Sequence, residues 1–220
     1  MSVRTLLMGV ALVFAHGAAA HAQEARLVGR VPDALRTQLD VLLTDTRAEG
    51  LPTEPLVDRA LEGVAKRARP ELILQAVTRL RDELRISRQA LGVGSSAAEV
   101  AAGASALRAG ATRADLARLR ALRPQHPLTI PAGVLADLVA AGVPADTGIA
   151  AVLALASNAD DADYIAFRRN VERDIALGAS PASSIGARLR AVGGVADEAM
   201  GGPTSGRGNT TTSPPRKRKP

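Results

Sequence analysis

Histidine and cysteine, the side chains that most often perform catalysis or bind metal ions, are scarce in this sequence. Beyond the first 22 residues the chain holds one histidine, His126, and it contains no cysteine. A zinc site would need several carboxylates around that single histidine, and neither an HExxH pattern nor a cysteine-based spacing is present. A Ser-His-Asp triad would also depend on His126 alone, without a GxSxG turn for the nucleophile. Because Pro124 and Pro127 flank it, His126 is predicted to lie in an exposed loop between helices.

A row of carboxylates is the next candidate for acid-base chemistry. Glu54, Asp58 and Glu62 are spaced four residues apart, which places them on one face of a predicted helix. Two carboxylates can suffice for glycoside hydrolysis. Arg59 and Lys66 lie close by in sequence, and oppositely charged neighbours are typical of a solvated helix surface. We interpret the row as such a surface.

A polar cluster at Asn158, Asp160, Asp161 and Asp163 could bind a metal ion. An EF-hand loop requires an oxygen ligand at position 5 and glycine at position 6. Counted from Asn158, those positions hold Ala162 and Asp163, so the pattern fails. Acidic residues in the first turn of a helix interact favourably with its dipole and cap free amides, and we give the cluster that role. The sequence thus predicts no catalytic, cofactor-binding or metal-binding residue.

Helical periodicity dominates the elements that would position these residues. The apolar residues of the strongest segment, Pro70 to Leu91, recur at intervals of three and four, with Ser87 in the one place where an apolar residue is missing. Similar patterns cover 33–47, 54–67 and 160–177, and no run alternates long enough to predict a strand. The fold class is therefore predicted to be all-α, with about eight or nine short helices.

Glycine marks the predicted joints between these helices. Each such glycine follows a helical run, as expected for a C′ residue in the left-handed conformation, and a candidate N-cap residue comes shortly after it. The glycines are Gly50, Gly92, Gly110, Gly142 and Gly178, and the candidate N-caps are Thr53, Ser95, Thr112, Asp146 and Ser180. The uneven spacing of the glycines excludes a strict repeat. A compact bundle and an irregular α-solenoid of helical hairpins both remain open.

Residues 1–22 have the three-part layout of a secretory signal peptide. Arg4 is followed by an apolar run at 6–14, and the segment ends in Ala20-His21-Ala22, an A-x-A cleavage site. The apolar run is too short to span a membrane, for which roughly 20 residues are needed. We expect cleavage after Ala22 and a periplasmic or extracellular location. Without cysteine, the mature chain can hold neither a lipidated cysteine nor a disulfide.

The C-terminal segment 193–220 differs in composition from the rest. It is rich in glycine, proline, serine and threonine and lacks apolar periodicity, so it is predicted to be a disordered basic tail after an all-α domain at 23–192. The cluster Arg216, Lys217, Arg218 and Lys219 ends the chain. We expect it to be a solubilising end or a weak contact with an anionic envelope surface, and no nucleic acid is expected as a partner because no aromatic residue lies nearby to stack on bases.

Two functional hypotheses follow from this inventory. The first is a non-catalytic binding or scaffold module of the cell envelope, because capped helices are plentiful and catalytic residue types are few. The alternative is a carboxylate-dependent hydrolase of the periplasm that uses Glu54, Asp58 or the Asp160 cluster. Sugar sites usually offer aromatic platforms, and Tyr164 and Phe167 are the two aromatic residues beyond the leader. We therefore favour the binding module, with its partner unidentified.

The leader yields a direct prediction. When the full chain is expressed in a secreting bacterial host, the recovered protein should begin at Gln23, because the A-x-A motif positions the peptidase after Ala22. N-terminal sequencing together with the intact mass of the protein would measure this. Recovery of the uncleaved chain from the membrane fraction would contradict it.

Overall fold

The computed structural model describes residues 26–199, with side chains through Val192. Within that range the chain forms nine α-helices and no strand, which confirms the all-α class. The helices are α1 Asp33–Ala48, α2 Glu54–Ala65, α3 Pro70–Leu91, α4 Ala97–Arg108, α5 Arg113–Leu122, α6 Thr129–Ala140, α7 Ala145–Leu155, α8 Asp161–Ala176 and α9 Pro181–Ala199.

The two predicted terminal segments lie largely outside the described residues. The signal peptide at 1–22 lies there entirely, and so does the tail from Met200 onward, including the basic cluster 216–219. The predicted start of the tail at Gly193 differs from the structure, because α9 continues through Ala199. Small residues such as alanine and glycine in this stretch carried too little hydrophobic signal to extend the helix from sequence.

Each helix packs mainly on helices one and two places along the chain. One row contains α3, α5, α7 and α9, and a second contains α4, α6 and α8; α1 and α2 both pack on α3. In an α-solenoid each unit contacts its sequence neighbours in this way. Across the described residues the arrangement is compact and all-helical, as predicted, and it shares with solenoids the packing of each helix on its neighbours in sequence.

The interior consists of two apolar clusters that meet at α3 and α4. One reaches from Leu27 to Ala104 and the other from Leu91 to Ile185. Tyr164 and Phe167 belong to the second, and aliphatic residues make up the rest. The joined clusters give the array a continuous core, which fixes the loops at the ends of the helices.

Glycine ends most helices in the predicted manner. After α1, the Gly50 N–H donates to Arg47 O at 2.9 Å and the Leu51 N–H donates to Thr46 O at 3.1 Å, with φ at Gly50 of +70°. These are the two hydrogen bonds of the Schellman motif, and Leu51 is buried behind them. The same pair of bonds recurs at Gly110, Gly142 and Gly178. Gly92 also has a positive φ, so all five predicted joint glycines adopt the left-handed half of φ space.

Two of the predicted N-caps are confirmed. Thr112 and Asp115 form a capping box at the start of α5, where the Asp115 N–H donates to Thr112 Oγ1 at 3.2 Å. Ser180 Oγ accepts a hydrogen bond from the Ser183 N–H at the start of α9, also at 3.2 Å.

Of the other three N-cap predictions, those for Ser95 and Asp146 were wrong, and the one for Thr53 is right in position but not in its side-chain hydrogen bond. The cap of α4 is Ser96 and not Ser95, because Ser96 Oγ accepts from the Glu99 N–H, whereas Ser95 Oγ donates to Leu91 O. Asp146 lies inside α7, whose N-cap position is Pro144. Thr53 occupies the N-cap position of α2 without a side-chain cap.

The packing of α3 on α4 explains why Ser87 interrupts the apolar pattern of α3. Ser87 is fully buried and faces Gly103 of α4. A Cβ added at Gly103 would lie 2.2 Å from Ser87 Oγ and 3.2 Å from Leu91 Cδ1. Two small residues therefore let the helices approach closely where a leucine at 87 would separate them.

Replacing Gly103 tests this close approach. Gly103→Ala should destabilise the protein by about 1–3 kcal/mol, because the new methyl group overlaps Ser87, and this outweighs the roughly 1 kcal/mol gain in helix propensity. Urea unfolding followed by circular dichroism measures the change. Gly133→Ala on α6 is the matched control, since nothing lies within 4 Å of its added Cβ, and it should be neutral or stabilising. Adding Ser87→Ala to Gly103→Ala should recover part of the loss, and strict additivity would contradict the contact.

Candidate functional site

Two loops at the same end of the array line an open cleft. The α5–α6 loop contributes 123–127 and the α7–α8 segment contributes 156–161, and together they bound a space of about 700 Å³. A second cleft of about 360 Å³ lies on the other side of the α5–α6 loop. His126 lines both, and Asn158, Asp160 and Asp161 line the first. The structure thus brings together a histidine and a polar cluster that are 32 or more residues apart in sequence.

The buried side chain of Arg123 connects the two loops. Its side chain is 5% exposed, and Nη1 donates to Ala159 O at 2.5 Å while Nη2 donates to Asp161 Oδ1 at 3.0 Å. The guanidinium carbon also lies 5.3 Å from the centroid of the Tyr164 ring, within range of a cation–π interaction. One side chain therefore fixes a backbone carbonyl, a carboxylate and an aromatic ring on the opposite loop and helix.

Tyr164 supports this arrangement and is not poised for proton transfer. Its ring is fully buried, and its hydroxyl donates to Val152 O at 2.9 Å. Burial raises the pKa of the Tyr164 phenol to about 12, although the nearby Arg123 charge opposes that rise. The phenol is consequently protonated at neutral pH and acts as a fixed hydrogen-bond donor.

Glu99 anchors the other end of the α5–α6 loop. Its Oε1 accepts hydrogen bonds from Arg120 Nη2 and from the Leu128 N–H, the latter at 3.0 Å. Arg120 Nη1 in turn donates to His126 O at 3.0 Å. Burial works to raise the pKa of Glu99, but the N–H groups of Ser96 and Leu128 and the Arg120 guanidinium outweigh it, so the pKa is lowered. The ionised carboxylate thus holds the loop in place.

The acidic cluster is engaged as the first turn of α8. The Asp163 N–H donates to Asp160 Oδ1 at 2.9 Å, and the Asp160 N–H donates to Asp163 Oδ2 at 3.0 Å, which forms a capping box. Asp161 binds Arg123, as described above. Among the side chains described, those of residues 26–192, no three histidine, cysteine or acidic groups lie close enough together to hold a metal ion.

The carboxylate row on α2 is engaged by cations at the surface. Arg26 donates to Glu54 and, at 2.7 Å, to Asp58. Glu62 accepts from Lys66 at 2.5 Å and from Arg59 at 2.8 Å. These hydrogen bonds, with Lys66 the larger cause, lower the pKa of Glu62 to about 2. The row lies on a different part of the array from the cleft, since α2 packs on α3 and the cleft belongs to α5–α8.

Arginine links neighbouring helices along the whole array. Each of these ion pairs joins two helices, or a helix and the end of its neighbour, that pack on one another. They are Arg85–Glu49 at 2.7 Å, Arg108–Glu83 at 3.1 Å, Arg168–Asp137 at 2.5 Å and Arg188–Asp174 at 2.6 Å. These pairs were not predicted from sequence, although the planar fork of arginine suits bidentate pairing with carboxylates.

Three residues that organise the cleft were not found from sequence: Glu99, Arg120 and Arg123. A local signal existed for Glu99, because Ser96 and Glu99 have the S-x-x-E spacing of a capping box. For Arg123 there was none, since its partners Ala159 and Asp161 lie 36 and 38 residues away.

Comparison with known proteins does not assign this chain to a family. No protein-family profile, no curated protein and no solved structure matches this chain. None of the helices between residues 26 and 199 is long and apolar enough to cross a membrane. Any functional assignment must therefore come from the site itself.

The Glu99 anchor can be tested by a nearly isosteric change. Glu99→Gln keeps a capping-box residue but leaves the Arg120 guanidinium without its countercharge, and it should cost about 2–3 kcal/mol at pH 7. The folded-state pKa of Glu99 is lowered, so its contribution is complete above the unfolded-state pKa of about 4.3 and is lost as pH falls further through the folded value. The difference between wild type and variant should hence shrink from pH 6 towards pH 3.

Urea unfolding at a series of pH values measures this difference, with Glu62→Gln as the matched control. Glu62 has a lowered pKa too, but its side chain is 42% exposed and is screened by solvent. Its replacement should change stability by no more than about 0.5 kcal/mol. Equal losses for the two variants, or a Glu99→Gln loss that does not depend on pH, would contradict the anchor.

Proposed function

We propose that this protein is an exported, non-catalytic binding module of the cell envelope that presents the cleft between the α5–α6 and α7–α8 loops to a polypeptide partner. The observation that carries the proposal is the state of the candidate carboxylates. Each is engaged by an arginine, by a lysine or by the amides of a helix N-terminus.

None of these contacts supplies what a general acid requires. A general acid at neutral pH needs a raised pKa, which enzymes obtain by burial or by a like-charged neighbour. Glu62 has the opposite shift, and Asp161 lies against the Arg123 guanidinium. His126 is exposed at the rim of the cleft, and Asp160 and Asp163 are occupied in their capping box. These features argue against the carboxylate-dependent hydrolase.

The cleft has features that suit a polypeptide. Its size lies within the range of known binding pockets, and it is open to solvent. Pro124 and Pro127 limit the freedom of one wall, and Leu122, 37% exposed, offers an apolar contact. Arg123 and Arg120 hold both walls through hydrogen bonds to the backbone. A wall fixed before binding loses little entropy when a partner docks.

The proposed location and surface contacts come from sequence. The leader at 1–22 places the module in the periplasm or outside the cell. The basic cluster Arg216, Lys217, Arg218 and Lys219 would give a weak, salt-sensitive attraction to an anionic envelope surface. Such an attraction would concentrate the module near envelope partners without anchoring it.

Site-specific photocrosslinking tests the proposal. With a benzophenone amino acid in place of Ser157, an exposed residue of the cleft, a discrete polypeptide adduct should form in the envelope fraction. The same group in place of Thr44, exposed on α1, is the matched control and should give none of that adduct. The adduct should be identified by mass spectrometry and reproduced with the purified partner.

The enzyme alternative predicts a different outcome. Purified mature protein would hydrolyse a glycoside, ester or peptide substrate, and Glu54→Ala, Asp58→Ala or Asp161→Ala would abolish turnover while the circular dichroism spectrum stayed unchanged. That result, together with equal crosslinking from positions 157 and 44, would overturn the binding assignment.

A further inference from the structure

The described part of the chain ends beside the cleft. Helices α8 and α9 are joined by the short turn 177–180 and pack on one another as an antiparallel hairpin. Arg188 and Asp174 fix the register, with Nη2 to Oδ1 at 2.6 Å and Nε to Oδ2 at 2.8 Å. Counted from the turn, Asp163 lies 13 residues before Ala176, and Ala199 lies 18 residues after Pro181. At 1.5 Å per helical residue, α9 therefore passes the first turn of α8 and ends roughly 8 Å beyond it.

The first turn of α8 is a wall of the cleft, and its exposed charge is negative. Asp160 and Asp163 are both exposed, and no cation pairs with either among residues 26–192. Asp161 is already balanced by Arg123. The segment that follows α9 has the opposite charge: residues 200–220 contain Arg207, Arg216, Lys217, Arg218 and Lys219 and no acidic residue.

We propose that residues 200–220 occupy the cleft of their own chain. The Arg216–Lys219 cluster lies at Asp160 and Asp163, and Pro214-Pro215 packs against the apolar part of the lining near Leu122 and Pro124. The proline pair loses little conformational freedom on docking, because its φ angles are already fixed. The tail then competes with any external polypeptide for this surface. That competition rests on the proposed function, whereas the intramolecular contact itself does not.

Because the tail is tethered close to the cleft, a weak contact between them is sufficient to populate the docked state. Sixteen residues separate Ala199 from Arg216. A flexible chain of that length has an end-to-end distance of roughly 20–24 Å, which comfortably spans the interhelical distance from α9 to the first turn of α8. Tethering at this distance gives a local concentration on the order of millimolar. Exposed ion pairs that would be negligible between separate molecules can therefore populate the docked state, and salt should release it.

The absence of cysteine allows a clean measurement on the full mature chain. A nitroxide attached at Ser157→Cys should broaden the amide NMR signals of the tail around 212–219 roughly two-fold or more at low salt. The broadening should vanish near 1 M salt, where the Debye length is about 3 Å. A nitroxide at Thr44→Cys, on α1, should leave the tail signals unchanged.

Charge-removing variants supply the decisive comparison. Asp160→Asn with Asp163→Asn removes two charges but keeps the helix cap, since asparagine caps as well as aspartate does. This double variant should lose the broadening, and so should Arg216→Gln, Lys217→Gln, Arg218→Gln and Lys219→Gln combined. Asp40→Asn with Asp45→Asn, two exposed acids of α1, is the matched control and should retain it.

Two results would overturn the proposal. One is broadening that persists in Asp160→Asn with Asp163→Asn while the dispersed signals of 26–199 show a folded protein. The other is a tail that is unaffected by the Ser157 label but binds vesicles of phosphatidylglycerol and phosphatidylethanolamine, which assigns the cluster to the envelope surface. The photocrosslinking experiment tests for an external partner and does not bear on the intramolecular contact. Each of the two proposals can therefore be disproved without the other.

Discussion

The contact on which the site depends is the buried guanidinium of Arg123. Its hydrogen bonds to Ala159 O and Asp161 and its position over Tyr164 join the α5–α6 loop to the α7–α8 segment. Burying this charge is costly, and Nε finds no partner among the described residues. The benefit that offsets this cost is specificity, because the hydrogen bonds of the guanidinium fix one conformation of the two loops, which apolar packing alone would not determine. Lysine could not replace it, because a single ammonium lacks the planar fork that reaches two acceptors while lying over a ring.

The helices and their joints were predictable because their causes are local. Apolar periodicity and a glycine at C′ act within a few residues, and the Schellman hydrogen bonds at Gly50 and Gly142 form inside that range. N-caps were less reliable: Ser95 and Ser96 are adjacent, and only the reciprocal bond with Glu99 identifies Ser96 as the cap. The N-cap prediction for Asp146 was wrong because the helix begins earlier, with Pro144 at the N-cap position.

The candidate site could not be predicted from sequence because its causes are tertiary. Arg123 and Asp161 are distant in the chain, and the packing of α5, α6, α7 and α8 brings them together. The same holds for Ser87, which breaks the apolar stripe of α3 only because Gly103 lies opposite. The sequence did show correctly that the acidic cluster belongs to a helix start. It could not show that this helix start forms the wall of a cleft with His126 on the other side.

Each helix packs mainly on helices one and two places along the chain, so the effect of a contact is largely confined to those neighbours, and this bears on how the cleft could be controlled. Ion pairs such as Arg168–Asp137 and Arg188–Asp174 hold one helix to the next, so a change near α1 has no direct route to the loops of α5–α8. A part of the chain that regulates the access of a partner to the cleft would therefore have to lie next to the cleft. The end of α9 at Ala199 meets that condition, since α9 follows α8 after a short turn and packs on it.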